Sequence, residues 1–314
     1  PAFAEWVSEV DQDPALFVQD IHIQSVDMFG PRVGYVKFKT TAKARIDDQT
    51  VIDVPGIVFM RGGSVGVLVI LECDGAEYTI LTRQPRVPVG RHDFPEIPAG
   101  MLDGSGNFKG VAAEAIQRAC GIVITEDELV DLTGLTYGDK FRGVVPSASG
   151  CDEYVKLYMM RRHVEEAVIS DLQGRLNGIS ADGEPFKLQI VELKDAWQLT
   201  PDVKALSALA LFKHLRDSAR LPERALRGQA SNGARRVTSI DALVEDASYA
   251  EAGSLVRYGR HFQSKFEGST ELTMAEESAA VEAASALPPG QSASVRCIIY
   301  TVCASVFDLL CARS

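Results

Sequence analysis

The chain has 314 residues, 46% of them hydrophobic and 24% charged, with a formal net charge of -11. This length accommodates two modest domains or one domain with additions, and the composition is that of a soluble globular protein. The acidic balance excludes broad docking on a nucleic-acid backbone, which needs a basic surface, and six cysteines without a Cys-x-x-Cys pair predict neither a disulfide framework nor a zinc centre.

Residues 1–20 carry a short helical pattern in Phe3, Trp6, Val7 and Val10, and no signal-peptide or presequence pattern. The absent initiator Met fits a processed form. Strands are expected at Ile21–Val26 and Val33–Lys39 across the turn Phe29-Gly30-Pro31. Residues 51–60 are apolar and β-branched around Pro55-Gly56. Residues 64–72 predict a strand buried on both faces, with Tyr78–Thr82 as its hairpin partner across Asp74-Gly75. Val111, Ala112, Ala115, Ile116 and Ala119 recur at helical spacing. Further strands are expected at Asp152–Met160 and Phe186–Leu193. Residues 201–216 predict an amphipathic helix with Thr200 as its cap and Pro201 at its first position.

Pro222 marks a change of composition. Residues 222–238 are rich in Arg, Gly, Ser and Asn and predict a linker or extended arm. Short helical pieces follow at 239–247, 273–286 and 294–312. The longest apolar run, Cys297 to Phe307, is too short to cross a hydrocarbon core of ~30 Å, so no membrane span is expected.

The segment from Glu96 to Ile122 holds the chemistry-bearing pattern. It reads Glu-Ile-Pro-Ala-Gly-Met-Leu-Asp, a glycine-rich stretch, then a helix ending Arg-Ala-Cys-Gly-Ile. It resembles the pyrophosphohydrolase box G-x5-E-x7-R-E-U-x-E-E-x-G-U of the Nudix hydrolases, where U is apolar. Gly100, Ile116, Gly121 and Ile122 fall in register. Gly106 stands where the first Glu belongs, Glu114 where the Arg belongs, and Ala115 where the next Glu belongs. Arg118 and Ala119 replace the Glu-Glu pair.

The resemblance extends over residues 20–220 to the plant and algal ADP-sugar pyrophosphatase branch of that family. It is carried by Ser25–Gly30, Val54–Phe59, Arg83–Pro88, Pro98–Asp103 and Ser149–Glu153 in the same order. It implies an α/β fold: a Nudix α/β/α sandwich over residues 61–221, preceded by a β-rich, dimer-forming segment over 1–60. Residues 222–314 have no counterpart in it and are expected to form a mostly helical or irregular C-terminal extension.

Hydrolysis of a nucleoside diphosphate sugar requires water to attack a group that is already negative. Divalent metals lower that barrier by neutralising oxygens and activating the water, and hard cations such as Mg²⁺ are held by carboxylates. The box places those carboxylates at i, i+3 and i+4, on one helix face. Here that face is Ala115, Arg118 and Ala119: two methyl groups that cannot ligate and a guanidinium that repels a cation. Glu114 points elsewhere and reads as a solvated residue. The resemblance leaves Glu96 and the Ala99 carbonyl as residual metal candidates, and Arg86 and Glu153 as residues approaching the substrate diphosphate. Asp152 and Glu153 read equally as the exposed start of a strand. Arg118 offers charge-assisted hydrogen bonds to a phosphate in place of a metal, or fills and salt-bridges an abandoned pocket. His22, His92, His163, His214 and His261 are scattered and read as ordinary residues, as do Cys73, Cys120 and Cys151.

Three readings remain open. The first is a catalytically inactive structural or linker subunit of a larger assembly. Its arm over 222–314 would present the apolar face Cys297, Ile298, Ile299, Val302, Val306, Phe307 and Leu310 to neighbouring subunits. Cys303 and Cys311 lie on the same piece and read as small packing residues. Plastid residence, as in relatives of this branch, makes a photosynthetic complex one host. The second is a weak ADP-sugar or ADP-ribose diphosphatase using Mg²⁺ or Mn²⁺ with Glu96, Glu153 and Asp103. The third is a nucleotide-sugar sensor without turnover. For the first and third readings no cofactor is expected.

Overall fold

The computed structural model describes residues 2–30, 32–102, 106–179 and 185–227. The arm beyond residue 227, with its predicted helical pieces and the apolar residues Cys297 to Leu310, lies outside the described residues, as does Asp103. The described chain divides into two compact units, residues 1–62 with 147–152 and residues 63–146 with 153–227.

The first unit holds helix α1 (Ala2–Gln12) and strands β1 (Leu16–Val18), β2 (His22–Phe29), β3 (Arg32–Lys39), β4 (Ala42–Arg45), β5 (Val51–Val54) and β6 (Ile57–Met60). They form two three-stranded antiparallel sheets, β1-β4-β5 and β2-β3-β6. The apolar run 51–60 is therefore split between two sheets, and Pro55-Gly56 is the division. Gly56 is required there because a Cβ would lie 2.2 Å from the carbonyl oxygen of Thr40. Ile21, Ile23, Phe38 and Met60 form the core of this unit, with Phe3 and Trp6 of α1 packed against it. The Trp6 and Phe38 rings meet edge to face at 5.1 Å, the geometry their quadrupoles favour.

The second unit is built on an eight-stranded sheet. Its strands are β7 (Ser64–Cys73), β8 (Ala76–Arg86), β9 (Arg91–Glu96), β10 (Ala99–Met101), β11 (Val130–Asp131), β12 (Val155–His163), β13 (Leu176–Ile179) and β14 (Pro185–Glu192). The order is β11-β12-β7-β8-β14-β13, with β10 added to β7 and β9 to β8. Only the β7–β12 pair is parallel among these pairings of the described strands. The helices are α2 (Phe108–Cys120), α3 (Leu132–Tyr137), α4 (Glu166–Leu172), α5 (Ala196–Leu199), α6 (Val203–Asp217) and α7 (Glu223–Arg227).

Strand β7 shows why the result is a three-layer sandwich. Side chains alternate across a strand, so Val65, Val67, Val69 and Leu71 share a core with Ala112, Ile116 and Ala119 of α2 and Val168 and Leu172 of α4. Leu68 and Ile70 face the other way, into a core with Leu132 of α3 and Ala205, Ala208, Phe212 and Leu215 of α6. All of these residues are buried, as the continuous apolar run of β7 implies. The fold is α/β, with helices on both faces of a mixed sheet.

Two sequence expectations need correction. The cap of α6 is Asp202, not Thr200: its carboxylate accepts from the amides of Lys204 (3.2 Å) and Ala205 (3.3 Å). The Thr200 hydroxyl instead donates to the Pro95 carbonyl at 2.7 Å and accepts from the Asp202 amide. Strand β12 begins at Val155, because Asp152 is engaged by the amides of Arg61 (2.8 Å) and Gly62 (3.1 Å) and stays out of the ladder.

Candidate functional site

Among the described residues, the box region forms strand β10 and the helix α2 that its apolar residues predict. Met101 of β10 pairs with Ser64 and Gly100 with Val65 at the start of β7. The chain then enters α2, where the Asn107 side chain caps by accepting from Gly110 N at 3.0 Å. Gly121 ends α2 in the left-handed region (φ 73°), its amide donating to the Gln117 carbonyl at 2.8 Å, the glycine termination that closes many helices. Gly100 lies under α2: a Cβ there would meet Ala115 Cβ and Val111 Cγ1 at 3.4 Å. Gly121 thus has structural work in this chain, as the left-handed end of α2.

The positions that lack their acids are arranged differently. Gly106 has φ 76°, a conformation that costs a non-glycine residue about 1–2 kcal/mol. The place of the first box acid is therefore held by backbone that favours glycine. Ala115 and Ala119 are buried against the sheet, at 1% and 5% exposure. Arg118 and Glu114 are exposed. The Arg118 guanidinium lies beside Gly100, with Nη2 3.5 Å from where a Cβ would stand. Arg118 has no ion-pair or hydrogen-bond partner among the described residues, so it does not salt-bridge a pocket formed by them.

Glu96, the residual metal candidate, ends β9 with its side chain 6% exposed. Oε2 accepts from Arg86 Nε at 2.6 Å and Gln84 Nε2 at 3.1 Å, and Oε1 from Lys204 Nζ at 3.0 Å. Lys204 also donates to Asp202 Oδ1 at 2.8 Å. Burial pulls the Lys204 ammonium down, but the adjacent Glu96 and Asp202 carboxylates outweigh it and hold the amine above its ordinary value. Lys204 is therefore a charged, nearly buried cation in direct contact with Glu96. Ala99 sits in β10 opposite Gly66, within a strand pairing.

The two substrate-side candidates are also engaged. Arg86 is bonded to Glu96 with its side chain 41% exposed. Its neighbour Arg83 grips Asp93 through two hydrogen bonds of 2.5 and 2.6 Å and reaches Gln189, so both arginines of the Arg-Gln-Pro-Arg run bind carboxylates on β9. Glu153 is partly buried and accepts from the Ser64 hydroxyl at 3.0 Å. Gln84, Asp202 and Lys204 were not expected at this site. Lys204 is 108 residues from Glu96 along the chain, and no local spacing links them.

Divalent cation chemistry asks for converging oxygens. The helix face offers methyl groups and a guanidinium, and the Glu96 oxygens are taken by three nitrogen donors, two of them cationic. This donor set does not fit a divalent metal.

Fold and site together define an α/β/α protein in which, among the described residues, the box helix α2 is formed and Glu96 is held by Gln84, Arg86 and Lys204. No family model matches the chain. It is 37% identical over 218 residues to Nudix hydrolase 14, chloroplastic, of Arabidopsis thaliana, covering 67% of this chain and 69% of that protein. Among solved structures, an ADP compounds hydrolase is similar with a TM-score of 0.40 and 13% identity, over 65% of this chain and 99% of that one. A C. elegans Ap4A hydrolase is similar with a TM-score of 0.34 and 16% identity, over 50% and 98%. On the sequence match, the chain belongs to the Nudix hydrolase family.

Proposed function

We propose that this chain is a Nudix-fold protein that does not hydrolyse diphosphates and acts as a structural subunit of a larger assembly, with residues 222–314 engaging its neighbours. Plastid residence is part of the proposal and rests on the chloroplastic relative. The observation that carries the reading is the pairing of Glu96 with Lys204 and Arg86, and the box helix separately lacks carboxylates on the face where the motif has them. Water attack on a diphosphate needs charge neutralisation and an activated water. Basic groups that already neutralise Glu96 supply neither to a substrate.

The test is incubation of the purified full chain with Mg²⁺ or Mn²⁺ and ADP-glucose. No release of AMP is expected, and release that disappears in Glu96→Gln refutes the reading. For the structural role, the native protein is expected to migrate with a large particle on a size gradient and to leave it when residues 222–314 are deleted. Migration as a free protein with the arm intact would count against it.

A second reading, nucleotide-sugar binding without turnover, is favoured by the exposed Arg118 guanidinium beside Gly100. Charge-assisted hydrogen bonds from arginine suit a phosphate. Calorimetric titration with ADP-ribose would show binding that Arg118→Ala weakens by about tenfold or more, in line with the loss of one such contact.

A further inference from the structure

The Lys204 ammonium is the point on which two buried carboxylates converge. Nζ lies 3.0 Å from Glu96 Oε1 and 2.8 Å from Asp202 Oδ1, and the three side chains are 16%, 6% and 4% exposed. The amine is held from both ends. Its backbone amide is bonded to Asp202 in the α6 cap, and its Cβ lies 3.7 Å from where a Cβ on Gly66 of β7 would stand. The remaining oxygens are also committed. Glu96 Oε2 accepts from Gln84 and Arg86, and Asp202 Oδ2 from Ala205 N. Two carboxylate oxygens about one cation is the beginning of the oxygen cage that a hard divalent ion requires. Here the cation is covalently part of the chain.

We infer that Lys204 is a built-in cation standing where Glu96 and Asp202 would otherwise hold a divalent ion, so that this part of the fold is independent of Mg²⁺ and Mn²⁺, and removal of the amine exposes a two-carboxylate cation site. The inference rests on the reading that Glu96 is withdrawn from metal chemistry. It goes further in assigning a ligand pair, Glu96 with Asp202, that the Nudix box does not contain. An ordinary ion pair would lose stability when Lys204 is removed but would gain no metal response, and that difference separates the two.

The experiment uses the full chain as wild type, Glu96→Gln, Lys204→Ala, and Lys204→Ala combined with Glu96→Gln. Melting is followed in EDTA and in ~1 mM MnCl₂, an excess chosen for a weak site, and free Mn²⁺ is measured by electron paramagnetic resonance. Wild type is expected to melt at the same temperature in both and to bind no Mn²⁺ through Glu96. Lys204→Ala is expected to melt about 8 °C lower in EDTA, from loss of one partner of a buried ion pair. It should recover about 3 °C in Mn²⁺, and the double variant should show no recovery. If Lys204→Ala is insoluble in EDTA, refolding yield with and without Mn²⁺ replaces melting. A Lys204→Ala protein indifferent to Mn²⁺ by either readout overturns the inference. So does a wild type that binds Mn²⁺ with loss in Glu96→Gln; if it then releases no AMP from ADP-glucose, the non-hydrolytic reading still stands. Release of AMP that persists in Glu96→Gln refutes that reading while leaving the cation assignment intact.

Discussion

Replacing Gly121 by alanine tests whether that surviving box glycine is structural. Gly121 has φ 73° and ψ 5° at the end of α2. A Cβ in that region meets the following carbonyl and costs about 1–2 kcal/mol. The lower entropy of unfolded alanine returns a few tenths, leaving a net loss of about 1 kcal/mol. Relaxation is restricted because Cys120 and Ile122 on either side are each 1% exposed. For a domain of this size, about 1 kcal/mol lowers Tm by roughly 2–4 °C. The control is Gly100→Ala, where the new methyl would meet its nearest neighbours at 3.4 Å, ordinary contact, so stability should stay within about 0.5 kcal/mol of wild type. Gly121→Asn should lose less than Gly121→Ala, since asparagine tolerates the left-handed region. Melting curves on the full chain decide the matter. An equal loss at Gly100 and Gly121, or none at Gly121, would refute the argument that backbone conformation retains this glycine.

Other outcomes follow from the same geometry. The Arg83 hydrogen bonds hold the Asp93 carboxyl below its usual range, so the stabilisation is present above about pH 3.8 and lost as pH falls through the folded value. The stability gap between wild type and Asp93→Asn should be about 1 kcal/mol or less near pH 6 and close as pH falls through the lowered folded value, as read by denaturant titration. Burial pushes the Cys120 thiol up to about 12. Iodoacetamide at pH ~8 should therefore leave Cys120 unmodified in the folded chain and label it after unfolding, by peptide mass spectrometry; labelling at equal rates would contradict its burial. Arg161, 9% exposed, ties Glu72 of β7 to Glu77 of β8. Arg161→Met should cost about 3 kcal/mol, and Glu72→Gln in that background should cost less than it does alone.

The parts of this protein legible in its sequence are those fixed by local rules. The β7 run from Ser64 to Cys73 is apolar at almost every position, and only a strand covered on both faces accommodates that. The spacing of Val111, Ala112, Ala115, Ile116 and Ala119 gives the buried stripe of α2. Strands β10 and β11 are three and two residues long, too short to show a period. The sequence places the α6 cap at Thr200, two residues before Asp202, which holds it. What decided between them was a distant group, the Pro95 carbonyl that takes the Thr200 hydroxyl. The box substitutions were visible as letters, but the state of Glu96 was not. Its partners come from β8 and α6, brought together by β-pairing and helix packing rather than by spacing.

Gly106 has a consequence for anyone who wishes to write the box acids into this chain. Writing glutamate at that position places a long side chain on backbone at φ 76°, at a cost of about 1–2 kcal/mol although the space around it is open. Ala115 and Ala119 are packed under the sheet, and carboxylates there must first push the helix outward. Single acidic substitutions at these three positions are therefore expected to cost stability before they add a ligand.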